Sequence, residues 1–127
     1  MENTVQPYGK EFVLDLHGCD ISRMNRDGLK LYLDHLCKLI GMEQCGLHFW
    51  EEEYIPKEEW DSNPHLQGLS AIQFIKTSSI VVHAIYGMER FYLNCFSCKD
   101  FDEKLTTEYT LSFFGGKVVN YKSLERI

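Results

Sequence analysis

Ser70, Ser78, His83 and Cys98 are the residues whose types and spacing suit nucleophilic or proton-transfer chemistry. A hydroxyl or thiol attacks a carbonyl once a nearby base accepts its proton, and a histidine titrating near neutrality suits that exchange. They sit in Gly68-Leu69-Ser70, Thr77-Ser78-Ser79-Ile80-Val81-Val82-His83 and Phe96-Ser97-Cys98. Taken singly, a strand histidine and a strand cysteine are more often core residues than catalysts. Competing chemistries have weaker signals. Cys95 and Cys98 have zinc-ligand spacing but lack a second pair, since Cys37 and Cys45 fall on different predicted elements, so no metal site is expected. Gly115-Gly116-Lys117 stops a helix and does not open one, which argues against a phosphate cradle. The acids from Glu51 to Glu59 read as a solvated surface.

The elements that must position these side chains can be traced from periodicity. Residues 11–17 alternate loosely as a first strand that ends at Gly18. Asp20 or Ser22 can cap a helix over 23–40, whose leucines form a broad apolar face and whose stop is Gly41. A second strand covers 47–50, and 51–67 reads as a long surface loop. Three strands follow at 69–76, 80–85 and 89–97, separated by breaks short enough for antiparallel hairpins. Asp100 or Asp102 caps a second helix to about 113, and 117–121 is the last strand. This order predicts an α+β two-layer sandwich: one antiparallel sheet with two helices on one face.

A first hairpin centred on Lys76-Thr77 sets Ser70 opposite His83. Ser78 then lies about 15 Å along the strand from His83, too far for one chain to bring them together easily. A second hairpin centred near Gly87 would set Ser78 opposite Phe96, two places from Cys98. If the four form one site, Ser78 and Cys98 of one subunit are expected to meet Ser70 and His83 of a two-fold partner.

The 127 residues, 44% of them hydrophobic, suffice for one domain over 1–127. A net charge of -6 with no basic cluster argues against nucleic acid and anionic membrane as partners. Five cysteines, with no apolar leader or membrane-spanning run, lead us to expect reduced thiols and a cytoplasmic protein.

Over roughly residues 8–127 the sequence resembles the prokaryotic-type S-adenosylmethionine decarboxylases, pyruvoyl-dependent enzymes of spermidine synthesis. That family's pattern is a Gly-Val-Ser strand, then Glu-Ser-His-Ile-Ser-Ile-His, then a strand ending Phe-Thr-Cys. Gly68-Leu69-Ser70, Ser78, His83 and Phe96-Ser97-Cys98 fall at the same mutual spacings. The opening Tyr8-Gly9-Lys10 and Leu16-His17-Gly18-Cys19-Asp20 and the closing Gly116-Lys117-Val118-Val119 are similar as well.

The resemblance implies a proenzyme that cuts itself between Thr77 and Ser78 into 1–77 and 78–127. Ser78 becomes the covalent pyruvoyl group, which takes the amine of S-adenosylmethionine as a Schiff base. It further implies that Ser70 steadies the processing intermediate, that His83 moves protons during processing, and that Cys98 is the proton donor in decarboxylation. The expected assembly is a homodimer of cleaved chains.

Several positions depart from the family pattern. Thr77 stands where the family has Glu, although the attack uses only the backbone carbonyl there. Ser79 stands where the family has His and opens a second register, a cut at Ser78–Ser79, which would break the spacing to His83 and Cys98. After His83 the family continues Thr-Trp-Pro-Glu, with its Glu implicated in substrate binding, whereas this chain has Ala84-Ile85-Tyr86-Gly87. Asn94 replaces an aspartate, and Pro64 takes the place of an aromatic implicated in stacking on adenine. Tyr54, Trp50 or Phe91 can replace that ring and Glu89 can reach the ribose, so Glu89 and Phe91 are the expected substrate-binding residues. Two rival readings stay open: a pyruvoyl decarboxylase for ornithine or arginine, and an uncleaved paralogue acting as a binding or regulatory subunit.

Overall fold

The computed structural model describes residues 5–51 and 54–127. Six strands, β1 (Gly9–His17), β2 (Gln44–Trp50), β3 (Leu69–Ile75), β4 (Ser78–Ile85), β5 (Arg90–Ser97) and β6 (Lys117–Arg126), form one antiparallel sheet in the order β2-β3-β4-β5-β1-β6. Two long helices, α1 (Arg26–Ile40) and α3 (Glu103–Phe114), pack on it, and a short α2 (Lys57–Ser62) follows β2. The α+β sandwich read from the sequence is the fold that forms. Among the described residues no helix is long and apolar enough to cross a membrane.

The sheet buries one face because its apolar residues recur every second position. Phe12, Leu14 and Leu16 of β1, Ile80, Val82 and Ala84 of β4, and Phe91, Leu93 and Cys95 of β5 share one core with both long helices. α1 contributes Leu29, Tyr32, Leu33, Leu36 and Ile40, spaced three and four apart as one helical face requires. At the helix–helix contact, the fully buried Tyr32 stacks on Tyr109 and meets the Thr110 hydroxyl at 2.8 Å.

Three boundaries move from their expected places. α1 starts at Arg26 because the Asn25 side chain accepts the Gly28 N–H at 2.8 Å, while Asp20 caps a separate 3-10 turn over Ile21–Arg23. The loop expected after β2 holds α2 and a 3-10 turn over Pro64–Leu66. Glu58 and Glu59 lie in the first turn of α2, Lys57 pairs with Asp61 at 2.6 Å, and Trp60 anchors the helix to the body. β6 runs on to Arg126 because it pairs with β1 to its far end, past one irregularity that leaves Val119 without a partner on β1.

The first hairpin has the expected register, with Ile75 opposite Ser78 and Ser70 opposite His83 around the two-residue turn Lys76-Thr77. The second is shifted by one residue. Tyr86–Met88 form a 3-10 turn and Glu89 takes a left-handed conformation, φ 56°, so Ile85 pairs with Arg90 and Ser78 faces Ser97, not Phe96. The expected register would have set Asn94 across from the buried Ile80. The observed one sets Cys95 there, and Leu93 and Phe91 face Val82 and Ala84.

Candidate active site

On the face turned away from the helices, one row of side chains crosses five strands. Trp50 of β2 pairs with Ser70 of β3, Ser70 with His83 of β4, His83 with Tyr92 of β5, and Tyr92 with Asp15 of β1. Directly opposed residues in an antiparallel pair share a face, so hydrogen-bond register alone aligns this row. Ser70 Oγ lies 2.6 Å from His83 Nδ1, which engages one ring nitrogen and leaves Nε2 for a proton. Loss of water around the ring lowers the His83 pKa from its ordinary 6.5, so the neutral imidazole dominates at neutral pH. A neutral ring next to a hydroxyl can accept a proton.

A second group forms at the tip of the first hairpin. Thr77 closes the turn and Ser78 opens β4 opposite Ser97. The Thr77 carbonyl, which the expected attack would use, accepts the Cys98 backbone N–H at 3.2 Å. A carbonyl so held is polarised, and negative charge developing on its oxygen would find a donor already in place. Thr77 Oγ1 also lies 2.8 Å from Ser97 Oγ. The Cys98 thiol is exposed, whereas Cys95, three residues earlier, is fully buried, so the two sulfurs do not share a site. Among the described residues no cluster of histidine, cysteine and acidic side chains is placed to hold a metal ion.

The one-residue shift sets Ser78 one place from Cys98 along the ladder instead of two. It does not join them to Ser70 and His83. Five residues of extended strand, about 16 Å, separate Ser78 from His83. Ser78 also shares the helix-side register of Ile80, Val82 and Ala84, whereas Ser79 alternates to the open face with Val81 and His83.

A cleft of about 420 Å³ opens beside Cys98, lined by Tyr8, Gly9, Lys10, Ser97, Asp100 and Glu125 among others. Gly9 is needed there, because a Cβ on it would stand 2.2 Å from the Ser97 carbonyl and 2.7 Å from Cys98 Cα. The Cys98 sulfur raises the pKa of the Tyr8 phenol, through hydrogen bonding and charge repulsion in that order. Sequence reasoning gave Tyr8 no role, since nothing short of the β1–β5 register places it near the thiol. Lys10 bridges Asp100 at 2.8 Å and Glu103 at 3.1 Å, which fixes the cleft wall.

Of the expected substrate-binding residues, Phe91 is fully buried, stacked at 4.1 Å on Phe114 and edge-on to Tyr32, so its ring meets only core. The periodicity of β5 already marked it as a core position. Glu89 lies in the turn at the opposite end of β4 from Ser78, its carbonyl bonded to Cys19 N. Trp50 and Tyr54, by contrast, are exposed and stacked on each other at 4.3 Å beside Ser70.

Comparison with known proteins gives a family and a fold. A model described as S-adenosylmethionine decarboxylase matches residues 10–127. The solved structure of the adenosylmethionine decarboxylase from Aquifex aeolicus VF5 superposes with a TM-score of 0.73 at 15% identity, covering 96% of this chain and 92% of that one. No curated protein matches the chain.

Proposed function

The chain belongs to the S-adenosylmethionine decarboxylase family, whose members are carboxy-lyases, and from that premise we propose that it is a proenzyme which builds a pyruvoyl group from its own Ser78. The observation that carries this reading is the Thr77 carbonyl held by the Cys98 amide at the tip of a two-residue turn. Attack by Ser78 Oγ on that carbonyl carbon forms a C–O bond and breaks the Thr77–Ser78 amide, leaving an ester and a free amine. Loss of the α-proton of residue 78 and of the ester oxygen then releases Thr77 as a carboxylate. Water replaces the remaining nitrogen, which leaves as ammonia, and a ketone is left at the start of 78–127.

The pyruvoyl group supplies a carbonyl that binds the substrate's amine and an adjacent amide that accepts the electrons freed with carbon dioxide. Around it, Cys98 supplies a proton from the cleft, and the Ser70–His83 pair moves protons during processing. The aminopropyl donor so made serves spermidine synthesis. For the substrate's adenine ring we assign Trp50 with Tyr54, the exposed aromatic pair nearest the Ser70–His83 pair, in place of the buried Phe91.

The site is shared between two copies of the chain. This rests on the separation of Ser78 from His83 and on the open face of the sheet, where Trp50, Ile72 and Phe74 remain 54%, 38% and 46% exposed. Ser78→Ala and His83→Ala chains should each remain uncut alone. Co-expressed, they should give about a quarter of wild-type activity, because half the dimers are mixed and each carries one intact site. A mixture as inactive as its parents would refute the shared site. Intact mass of the purified wild type tests the proenzyme reading itself: fragments 1–77 and 78–127 are expected, and a stable single chain of 14.9 kDa would overturn it.

A second reading, decarboxylation of another amino acid, draws support from Pro64, which sits in the 3-10 turn where the family pattern has an aromatic. Carbon dioxide release from carboxyl-labelled S-adenosylmethionine, ornithine and arginine separates the two.

A further inference from the structure

We propose that the Thr77 side chain is a positioning group for self-cleavage, and that its hydroxyl contact with Ser97 sets the carbonyl that Ser78 attacks. This rests on the proenzyme reading above and goes beyond it, since the attack itself needs only the Thr77 backbone. The last residue of β5 and the one that follows it hold two different groups of Thr77: Ser97 Oγ meets Thr77 Oγ1 at 2.8 Å, and Cys98 N–H donates to the Thr77 carbonyl at 3.2 Å. Attachment at the side chain and at the carbonyl together restrains rotation about the intervening Cα–C bond, and that rotation decides which face of the carbonyl Ser78 meets.

The anchor is well fixed. Ser97 is only 1% exposed, and its oxygen accepts the Lys99 N–H at 3.0 Å. Its own hydrogen can then pass to Thr77 Oγ1, whose hydrogen points on to Met42 Sδ at 3.7 Å. In that arrangement each hydroxyl donates once and Ser97 accepts once, so neither hydroxyl is left unpaired. Lys99 reaches back from the same segment to the Gly41 carbonyl, and Lys76 N–H donates to Glu43 O at 2.9 Å. The turn is therefore tied to the α1–β2 connection from both sides.

Single-turnover cleavage, followed by intact mass on the full chain, tests the assignment. Thr77→Val, which keeps the shape but loses the hydroxyl, and Ser97→Ala should each cleave about tenfold more slowly. The double variant should be no slower than either, because both remove one contact. Thr77→Ser and Ser97→Thr, which retain the hydroxyls, should cleave within about twofold of wild type. On a Ser78→Ala background, Thr77→Val should speed hydrogen exchange of the Cys98 amide without lowering the melting temperature. A wild type that cleaves while Thr77→Val and Ser97→Ala match its rate overturns the positioning role alone. Equal slowing of Thr77→Ser and Thr77→Val, with a lowered melting temperature, also overturns it, as a packing effect. A wild type that never cleaves overturns both this role and the proenzyme reading.

Discussion

Ser78→Ala should leave the chain as one uncut species of 14.9 kDa with no decarboxylase activity. The substitution removes one oxygen at the start of β4 and leaves its surroundings in place. Ser97 can still meet Thr77, and the Cys98 N–H can still hold the Thr77 carbonyl, because neither contact uses the Ser78 hydroxyl. Far-ultraviolet circular dichroism and the melting temperature should therefore match an uncut wild-type chain, so a loss of cleavage is chemical and not structural. The same variant discriminates between the adjacent serines. Were Ser79 the nucleophile, the bond cut would be 78–79 and Ser78→Ala would still fragment, yielding 1–78 and 79–127. The fold favours Thr77, whose carbonyl sits in the turn and is held by an amide; residue 78 already lies inside the ladder, paired with Ile75 on one side and Ser97 on the other. Recovery of the 1–78 fragment would reverse the assignment.

Cys98→Ala should cleave normally and yet decarboxylate on the order of 10² to 10⁴ times more slowly. The two halves of this result come from different atoms of one residue. The backbone N–H that holds the Thr77 carbonyl is retained by alanine, so processing has what it needs from position 98. The exposed thiol facing the cleft beside Tyr8 is lost, and with it the group proposed to donate a proton once carbon dioxide has left. Intact mass and a carbon dioxide release assay on the same preparation read the two effects separately. Wild-type turnover would remove Cys98 from the proton-transfer role, and failure to cleave would show that the thiol, and not the amide, serves processing.

Local interactions made much of this molecule legible in its sequence. The Lys76-Thr77 turn joins strands that pair residue by residue from its edge, so Ser70 and His83 could be set opposite each other from spacing alone. The helix stops at Gly41 and Gly115, the Asp102 cap and the order of the strands are equally local. The second hairpin departs from its expected register by one residue because Glu89 adopts a left-handed conformation that its residue type does not announce. There the alternation of Phe91, Leu93 and Cys95 was the better guide, since slipping by one would turn them from the core.

What the residues by themselves determined is a set of candidate groups and the strand positions that carry them: Ser70, Ser78, His83 and Cys98, on two hairpins of one antiparallel sheet. Only the tertiary structure decided which of their atoms meet. Packing of both long helices on one face commits Phe91 to the core and leaves Trp50 exposed beside Ser70. The β4–β5 register brings the Cys98 amide to the carbonyl of Thr77. A side chain's type is written at its own position, but a hydrogen bond across a sheet depends on every turn and bulge between its partners, and a single extra residue in one of them exchanges the faces.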